Sequence, residues 1–271
     1  ISKTKSKTKS LTYEDYFYRG VDKHQSNNKK GAISDYNESI KLNSKFAPAF
    51  HNRGIINDDL KNYKNAIKDF DKAILLLPDY PLYYYNRAVS KNNIEDYIGV
   101  VSDLDQVIKN DSTNLTALKF RGQSNYNLKN YKEAIDDFDT AISLDNNLSE
   151  LYYLRGTCKG FFNKHYEAIK DFDKAISLDS TVSIYYSNRA VSKMKIKDFF
   201  GAIEDYTKII DFNNDDPNSY MKRGGAKYIM NDIDGACEDW TMANKLGSKD
   251  AKEKIEINCK VFQMKQKLRG N

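Results

Sequence analysis

The sequence has 271 residues, of which 30% are charged, and it contains 20 Tyr but only 4 Pro, a mixture that favours helices over β-sandwiches or disorder. The net charge is +5, and Lys3, Lys5, Lys7 and Lys9 supply most of it, so the rest of the chain is near neutral. This distribution argues against a nucleic-acid-binding protein, and no apolar run approaches the ~20 residues of a membrane span.

The first predicted element is a short Lys/Ser/Thr segment over residues 1–12. It predicts a solvated, flexible tail, and an arm that docks on an acidic surface is the alternative. The chain begins at Ile1 with no visible signal peptide, although one removed before this point is also consistent with the sequence.

A 34-residue period follows. An Arg followed by Gly or Ala recurs at every interval of 34 residues, at Arg19, Arg53, Arg87, Arg121, Arg155, Arg189 and Arg223. In step with it, sixteen residues after each Gly or Ala, stands a large apolar residue: Tyr36, Phe70, Leu104, Phe138, Phe172, Tyr206 and Trp240. A fixed period of this length predicts a solenoid of stacked units, none of which buries its apolar face alone.

These positions resemble the tetratricopeptide repeat (TPR) family, whose unit alternates large residues at positions 4, 17 and 24 with small ones at 8, 20 and 27. The resemblance covers residues 13–250. It divides them into seven repeats: 13–46, 47–80, 81–114, 115–148, 149–182, 183–216 and 217–250. It implies an all-α fold, a right-handed superhelical α-solenoid of antiparallel helix pairs. Position 11, usually aromatic in the family, is Lys or Asn here, so we expect it to be more hydrated than usual.

Position 7 is Arg and position 23 is Asp in all seven repeats. Since both lie at similar height on paired helices, we predict partly buried ion pairs within a repeat or to its neighbour. A row of arginines that binds an acidic ligand is the alternative. The central pairs are Arg53 with Asp69, Arg87 with Asp103, Arg121 with Asp137, and Arg155 with Asp171.

The resemblance also implies that the first helices line a concave groove. Its candidate ligand residues combine aromatic rings with amides, which suit an extended peptide. They are His51, Asn52, Ile55, Tyr85, Asn86, Val89, Lys119, Gln123, Tyr126, Tyr153 and Asn188. We expect Asn52 and Asn86 to clamp a peptide, and exposure to water alone is the alternative.

Some TPR domains bind the C-terminal carboxylate of chaperones through Lys at position 5 and Asn at position 9. Here position 9 is never Asn, and Lys119, the one basic residue at position 5, is followed by Gln123. Binding of chaperone tails is therefore disfavoured.

Nothing in the sequence indicates an enzyme or a cofactor. Phosphate loops and hydrolase or metalloprotease motifs are absent. His24 and His51, near Asp58 and Asp59, allow a metal site as a minor alternative, but we expect no metal. His165, at position 17, is expected to pack within its repeat.

The last predicted element is a capping helix over residues 251–268, within a C-terminal segment 251–271. Cys237 and Cys259 are able to approach each other there, although the odd count of three cysteines argues against a disulfide framework. A disulfide is the minority interpretation and would indicate an oxidising compartment. Cys158 is expected to be an inert buried thiol. The end resembles those of bacterial TPR proteins, which leaves cytoplasm and periplasm both open.

Together these features predict a non-enzymatic scaffold or adaptor that binds a protein or peptide in its groove. The alternative is a structural or self-assembling component that uses its convex face or its ends. The oligomeric state is not specified by the sequence.

Overall fold

The computed structural model describes residues 10–260, 262 and 264, and all regular structure within them is helical. The predicted tail therefore lies outside the described residues up to position 9, as does most of the chain beyond 260. Thr12 begins the first helix with a capping box, in which its hydroxyl accepts from the amide of Asp15 and the Asp15 carboxylate accepts from the amide of Thr12.

The chain forms two compact units, one ending at Asn130 and the other beginning at Tyr131. The helices of the first unit are α1 (Tyr13–Gln25), α2 (Lys29–Leu42), α3 (Ala47–Asp59), α4 (Tyr63–Leu76), α5 (Pro81–Asn92), α6 (Tyr97–Asn110) and α7 (Leu115–Asn127). Those of the second are α8 (Tyr131–Leu144), α9 (Ser149–Phe161), α10 (His165–Leu178), α11 (Ser183–Lys195), α12 (Phe199–Phe212), α13 (Pro217–Ile229), α14 (Ile233–Lys245) and α15 (Lys249–Asn258). These 15 described helices fit seven repeats and a terminal helix, which confirms the all-α prediction.

Several helix pairs pack closely because a small residue at position 8 faces a large residue at position 24. A Cβ atom added to Gly54 would lie 2.7 Å from Cε1 of Phe70, and one on Gly224 would lie 2.7 Å from Nε1 of Trp240. Where position 8 is Ala88, the facing residue is the smaller Leu104. Small residues at position 8 thus leave room for large ones at position 24, as a close-packed interior requires.

The turn inside each repeat uses a left-handed backbone conformation at position 15. Seven non-glycine residues have positive φ there: Asn27, Lys61, Glu95, Lys129, Asn163, Lys197 and Asn231. Three are Asn, which tolerates this conformation well, and three are Lys, which tolerates it less. The turn geometry is thus fixed by the stacked helices rather than by local preference.

The second helix of several repeats begins with an acidic cap and a glycine. Oδ1 of Asp96 accepts from the amide of Gly99 at 3.0 Å, and Asp198 caps Gly201 at the same distance. A Cβ atom on Gly99 would lie within 2.2 Å of Oδ2 of Asp96, so the cap and the glycine depend on each other.

The C-terminal end differs from the expectation of unpaired thiols. Cys237 in α14 forms a disulfide with Cys259, the residue that follows α15, and their Cα atoms lie 5.8 Å apart. The minority interpretation was correct because Ala251 and Ile255 pack α15 against α14, which brings the two thiols together. Cys158 is free and buried, and burial raises the pKa of its thiol to about 12.

Candidate functional site

The first helices α3 and α5 are neighbours in the first unit. We use the name first-helix face for the side chains on α3, α5 and α7 that include the candidate ligand residues. In the second unit the same name applies to α9, α11 and α13. Most candidate ligand residues are half-buried on this face: Asn52, Ile55, Tyr85, Asn86, Val89, Lys119, Gln123, Tyr126, Tyr153 and Asn188. His51 differs, with only 7% of its surface exposed.

His51 fixes the orientation of both candidate clamp residues. Nδ2 of Asn86 donates to Nε2 of His51 at 2.7 Å, so Nε2 is the unprotonated nitrogen. Nδ1 therefore carries the proton and donates to Oδ1 of Asn52 at 3.1 Å. The imidazole also lies against the ring of Tyr83, with centroids 4.7 Å apart. Burial lowers the pKa of His51, with the bond to Asn52 opposing the shift, and the neutral form is the one that makes both bonds.

This arrangement leaves a hydrogen-bond acceptor of Asn86 without a partner among the described residues. Oδ1 of Asn86 accepts no hydrogen bond from the described residues, because its amide is held through Nδ2. The ring of Tyr85 lies beside it in the chain and contacts the ring of Phe120, with centroids 6.2 Å apart. An acceptor on the half-buried Asn86 is a suitable contact for the N–H of an extended backbone.

The second unit joins its first helices by a different contact. Nδ2 of Asn188 on α11 donates to Oγ1 of Thr157 on α9 at 3.1 Å. Thr157 in turn donates to the carbonyl of Tyr153 at 2.8 Å, and the rings of Tyr153 and Tyr185 lie 5.1 Å apart. Thr157 is at position 9, which the family uses in its groove, but it is not one of the candidate ligand residues given above.

The arginines at position 7 make contacts in two directions. In the third repeat, Nε and Nη2 of Arg87 donate to Asp103 at 3.0 and 2.5 Å. Nη1 of Arg87 donates to Asp71 in the preceding repeat at 2.6 Å. Burial by itself would lower the pKa of Arg87, but its bonds to Asp103 and Asp71 outweigh that effect and raise it.

The same geometry recurs along the chain. Arg53 binds Asp69 at 2.6 and 3.0 Å, and Arg155 binds Asp171 at the same two distances. Arg121 donates to Asp105 at 2.6 Å. Asp137 is buried, 4% exposed. Because these arginines hold carboxylates of their own chain, they are already committed to structural contacts.

Position 11 contradicts the expectation of a more hydrated site. Lys91 lies 2.9 Å from Asp103, and Lys159 lies 2.8 Å from Asp171. Only 15% of each lysine side chain is exposed. The prediction was wrong because the lysine stem covers apolar surface while its ammonium joins the Arg–Asp pair.

The histidines do not converge on one site. His24 lies 3.7 Å from Asp59, whose carboxylate also pairs with Lys29 at 2.9 Å, whereas His51 lies within the amide network. Nδ1 of His165 is buried, and none of the described residues forms a hydrogen bond with it. Within the described residues, no three His, Cys, Asp or Glu side chains are grouped to hold a metal.

The described helices define a class, that of proteins built from tandem helix hairpins. The tetratricopeptide repeat family matches residues 47–80, 116–148 and 149–181. With seven repeats in phase, the chain belongs to this family. Of the helices described, none is both long and apolar enough to cross a bilayer.

Solved structures of TPR proteins have a similar fold. One is the C-terminal part of a TPR repeat-containing protein from Cytophaga hutchinsonii, 17% identical with a TM-score of 0.75, covering 88% of this chain and 98% of that one. A TPR protein from Parabacteroides merdae is 19% identical with a TM-score of 0.62, covering 91% and 98%. YrrB, described as a TPR protein with an unusual peptide-binding site, is 20% identical with a TM-score of 0.61, covering 68% and 95%. At these identities the likeness is one of fold. No curated protein matches the sequence.

Proposed function

We propose that this chain is a protein-interaction scaffold that holds an extended segment of a partner protein on its first-helix face. Proteins of this family are typically non-enzymatic scaffolds. The observation that supports the peptide-binding part is the half-buried amide of Asn86, which His51 holds through Nδ2 so that Oδ1 is left to accept, with Tyr85 on the same helix. A fixed acceptor suits a backbone N–H, and the adjacent ring offers apolar contact at small entropic cost.

YrrB, which has a similar fold, is described as having a peptide-binding site, and this also favours a peptide ligand here. The arginines at position 7 already bind carboxylates of their own chain, which argues against a ligand held by a row of guanidinium groups. The lack of the chaperone clamp leads us to expect that chaperone C-terminal tails do not bind.

Photo-crosslinking locates the partner. A photoreactive amino acid in place of Tyr85 is expected to capture a partner protein in extracts of the native source. The matched probe replaces Lys68, which is exposed on the second helix α4. Capture from position 68 but not from position 85 would contradict binding on the first-helix face and would favour the alternative, a structural component that uses its other surfaces.

A variant series tests the residues. Asn52→Ala/Tyr85→Ala/Asn86→Ala is expected to lose partner capture about tenfold or more, since several of the directed contacts go together. The control, Lys64→Ala/Lys68→Ala/Lys72→Ala on the exposed side of α4, should retain capture. Light scattering of the purified chain tests for self-assembly. A measured mass well above the 31.3 kDa of a single chain would show that the chain associates with itself.

A further inference from the structure

A cavity of about 300 Å³ opens on the first-helix face of the second unit, between α9, α10 and α11. The rings of Phe161 and Phe172 and the side chain of Val191 line it, together with the polar groups of Asn188 and Ser192. Phe172 belongs to the buried core, whereas Phe161 and Val191 are exposed. The cavity therefore leads from the surface down to the packed interior of the repeat.

The cavity exists because one side chain is missing. Position 12 is Gly160 in this repeat, but in the others it carries a side chain: His24, Asp58, Asn92, Tyr126, Met194 and Tyr228. A Cβ atom on Gly160 would meet nothing nearer than Oγ of Ser192 at 3.8 Å. The glycine is thus a departure from the period at the point where the cavity opens.

The size and the walls of the cavity suit an aromatic ring. An apolar cavity of about 150 Å³ accommodates benzene, so this one has room for a phenol or an indole. The ring of Phe172 offers an aromatic contact, and the ring of Phe161, which is itself stacked on Tyr131 with centroids 5.4 Å apart, forms part of the wall. Asn188 is held through Nδ2 by Thr157, which leaves its Oδ1 as an acceptor for an indole N–H or a phenol O–H.

The charge at the cavity is positive. Lys195 is the one charged residue in its described lining, and no carboxylate accompanies it. The Lys195 side chain is exposed, and no ion pair joins it to another described residue. An acidic group next to the inserted ring would complement it.

We propose that this cavity receives a Trp or Tyr side chain from a partner segment that carries Asp or Glu beside that residue. The inference rests on the proposed function and specifies what the partner contributes to one point of the first-helix face. It predicts that an acidic aromatic segment binds the second unit independently of the amide network around His51.

The test uses the full-length chain and a capped pentapeptide, 5-fluorotryptophan with two Glu on each side, observed by fluorine NMR. The wild type is expected to bind it, and Gly160→Leu, which fills the cavity, should weaken binding about tenfold or more. Gly225→Leu is the matched control, because Gly225 lies on α13 with no atom within 4 Å of an added Cβ. Both changes replace a helical glycine by a better helix former, so both variants should remain folded, which circular dichroism verifies.

Two further measurements test the chemistry. Lys195→Glu should weaken binding of the acidic peptide and strengthen binding of a peptide that has Lys in place of Glu. Equal affinity for acetyl-5-fluorotryptophan amide and for the acidic peptide would overturn the partner-segment proposal in favour of a small-molecule site. Equal binding by Gly160→Leu and the wild type, or no binding by the wild type, would overturn the cavity proposal. Capture of a partner from position 85 would still support binding on the first-helix face in either case. The proposed function and the cavity proposal can therefore be overturned separately.

Discussion

At the residue scale, buried charge is organised around each arginine. The Arg87 guanidinium joins a buried carboxylate of its own repeat to an exposed carboxylate of the preceding one. Removing a buried partner leaves an uncompensated buried charge, whereas an exposed ion pair contributes little to stability, so the two carboxylates should differ in their importance.

Two substitutions on the same arginine test this difference. Asp103→Ala removes a buried carboxylate that Arg87 and Lys91 both contact. It should lower the free energy of unfolding by about 3–5 kcal/mol, because Lys91 loses this partner and Arg87 keeps only the exposed Asp71. Asp71→Ala removes the exposed partner, 52% exposed, and should cost less than about 1 kcal/mol. Urea denaturation of both variants measures the two values. Equal losses would mean that the burial of Asp103 is unimportant.

His51 makes stability depend on pH. Burial lowers its pKa in the folded chain, so the unfolded chain, with a His pKa of about 6.5, takes up the proton first as acid is added. The contribution of His51 is therefore complete above about pH 6.5 and decreases as the pH falls towards its lower folded value. Protonation also removes the acceptor that Asn86 uses.

Urea midpoints between pH 7 and pH 5 check this prediction. The wild type should lose stability over this interval, and His51→Gln should show a smaller slope. An unchanged slope in the variant would assign the acid sensitivity to other groups.

At the element scale, the turn within each repeat carries local strain. Lys61 has φ of 60°, a conformation that costs non-glycine residues about 1–2 kcal/mol. Lys61→Gly should therefore raise the free energy of unfolding, by up to about 1 kcal/mol after the entropy of the unfolded glycine is subtracted. Lys68→Gly, within the neighbouring helix α4, should lower it by about 1 kcal/mol. Thermal melts of both variants give the signs, and a loss of stability in Lys61→Gly would refute the argument from strain.

The disulfide attaches the terminal helix α15 to α14. Cys237→Ser/Cys259→Ser should lower stability by about 3 kcal/mol, the value for closing a loop of roughly this length. Titration of the denatured, unreduced chain should give one reactive thiol, that of Cys158. Three reactive thiols would show that the bond does not form in the source from which the protein was taken.

At the scale of the whole molecule, the period was sufficient to predict the helices and the family. Small and large residues alternate at fixed positions, and that pattern has one packing solution, as Gly54 against Phe70 illustrates. The sequence also indicated that position 7 and position 23 lie near each other. These features follow from spacing along one helix pair, which a single sequence displays directly.

What the period did not predict depends on side-chain reach and on contacts between repeats. The long stem of Lys91 brings its ammonium to a buried carboxylate, where its polarity alone indicated hydration. His51 is held between two amides because Asn86, 35 residues later in the chain, donates a hydrogen bond to its ring. The cavity at Gly160 results from an absent side chain, which becomes visible only once its neighbours are in place.

The two-directional arginine contacts have a consequence for how such a chain changes over generations. Each buried Arg–Asp pair lies within one period, and the outer contact reaches the same position one period back. Loss of residues 81–114 would remove Arg87 together with Asp103, and Asp71 would then meet Arg121 in place of Arg87. Recombination between gene segments that encode whole periods can therefore alter the copy number of repeats without leaving a buried carboxylate unmatched.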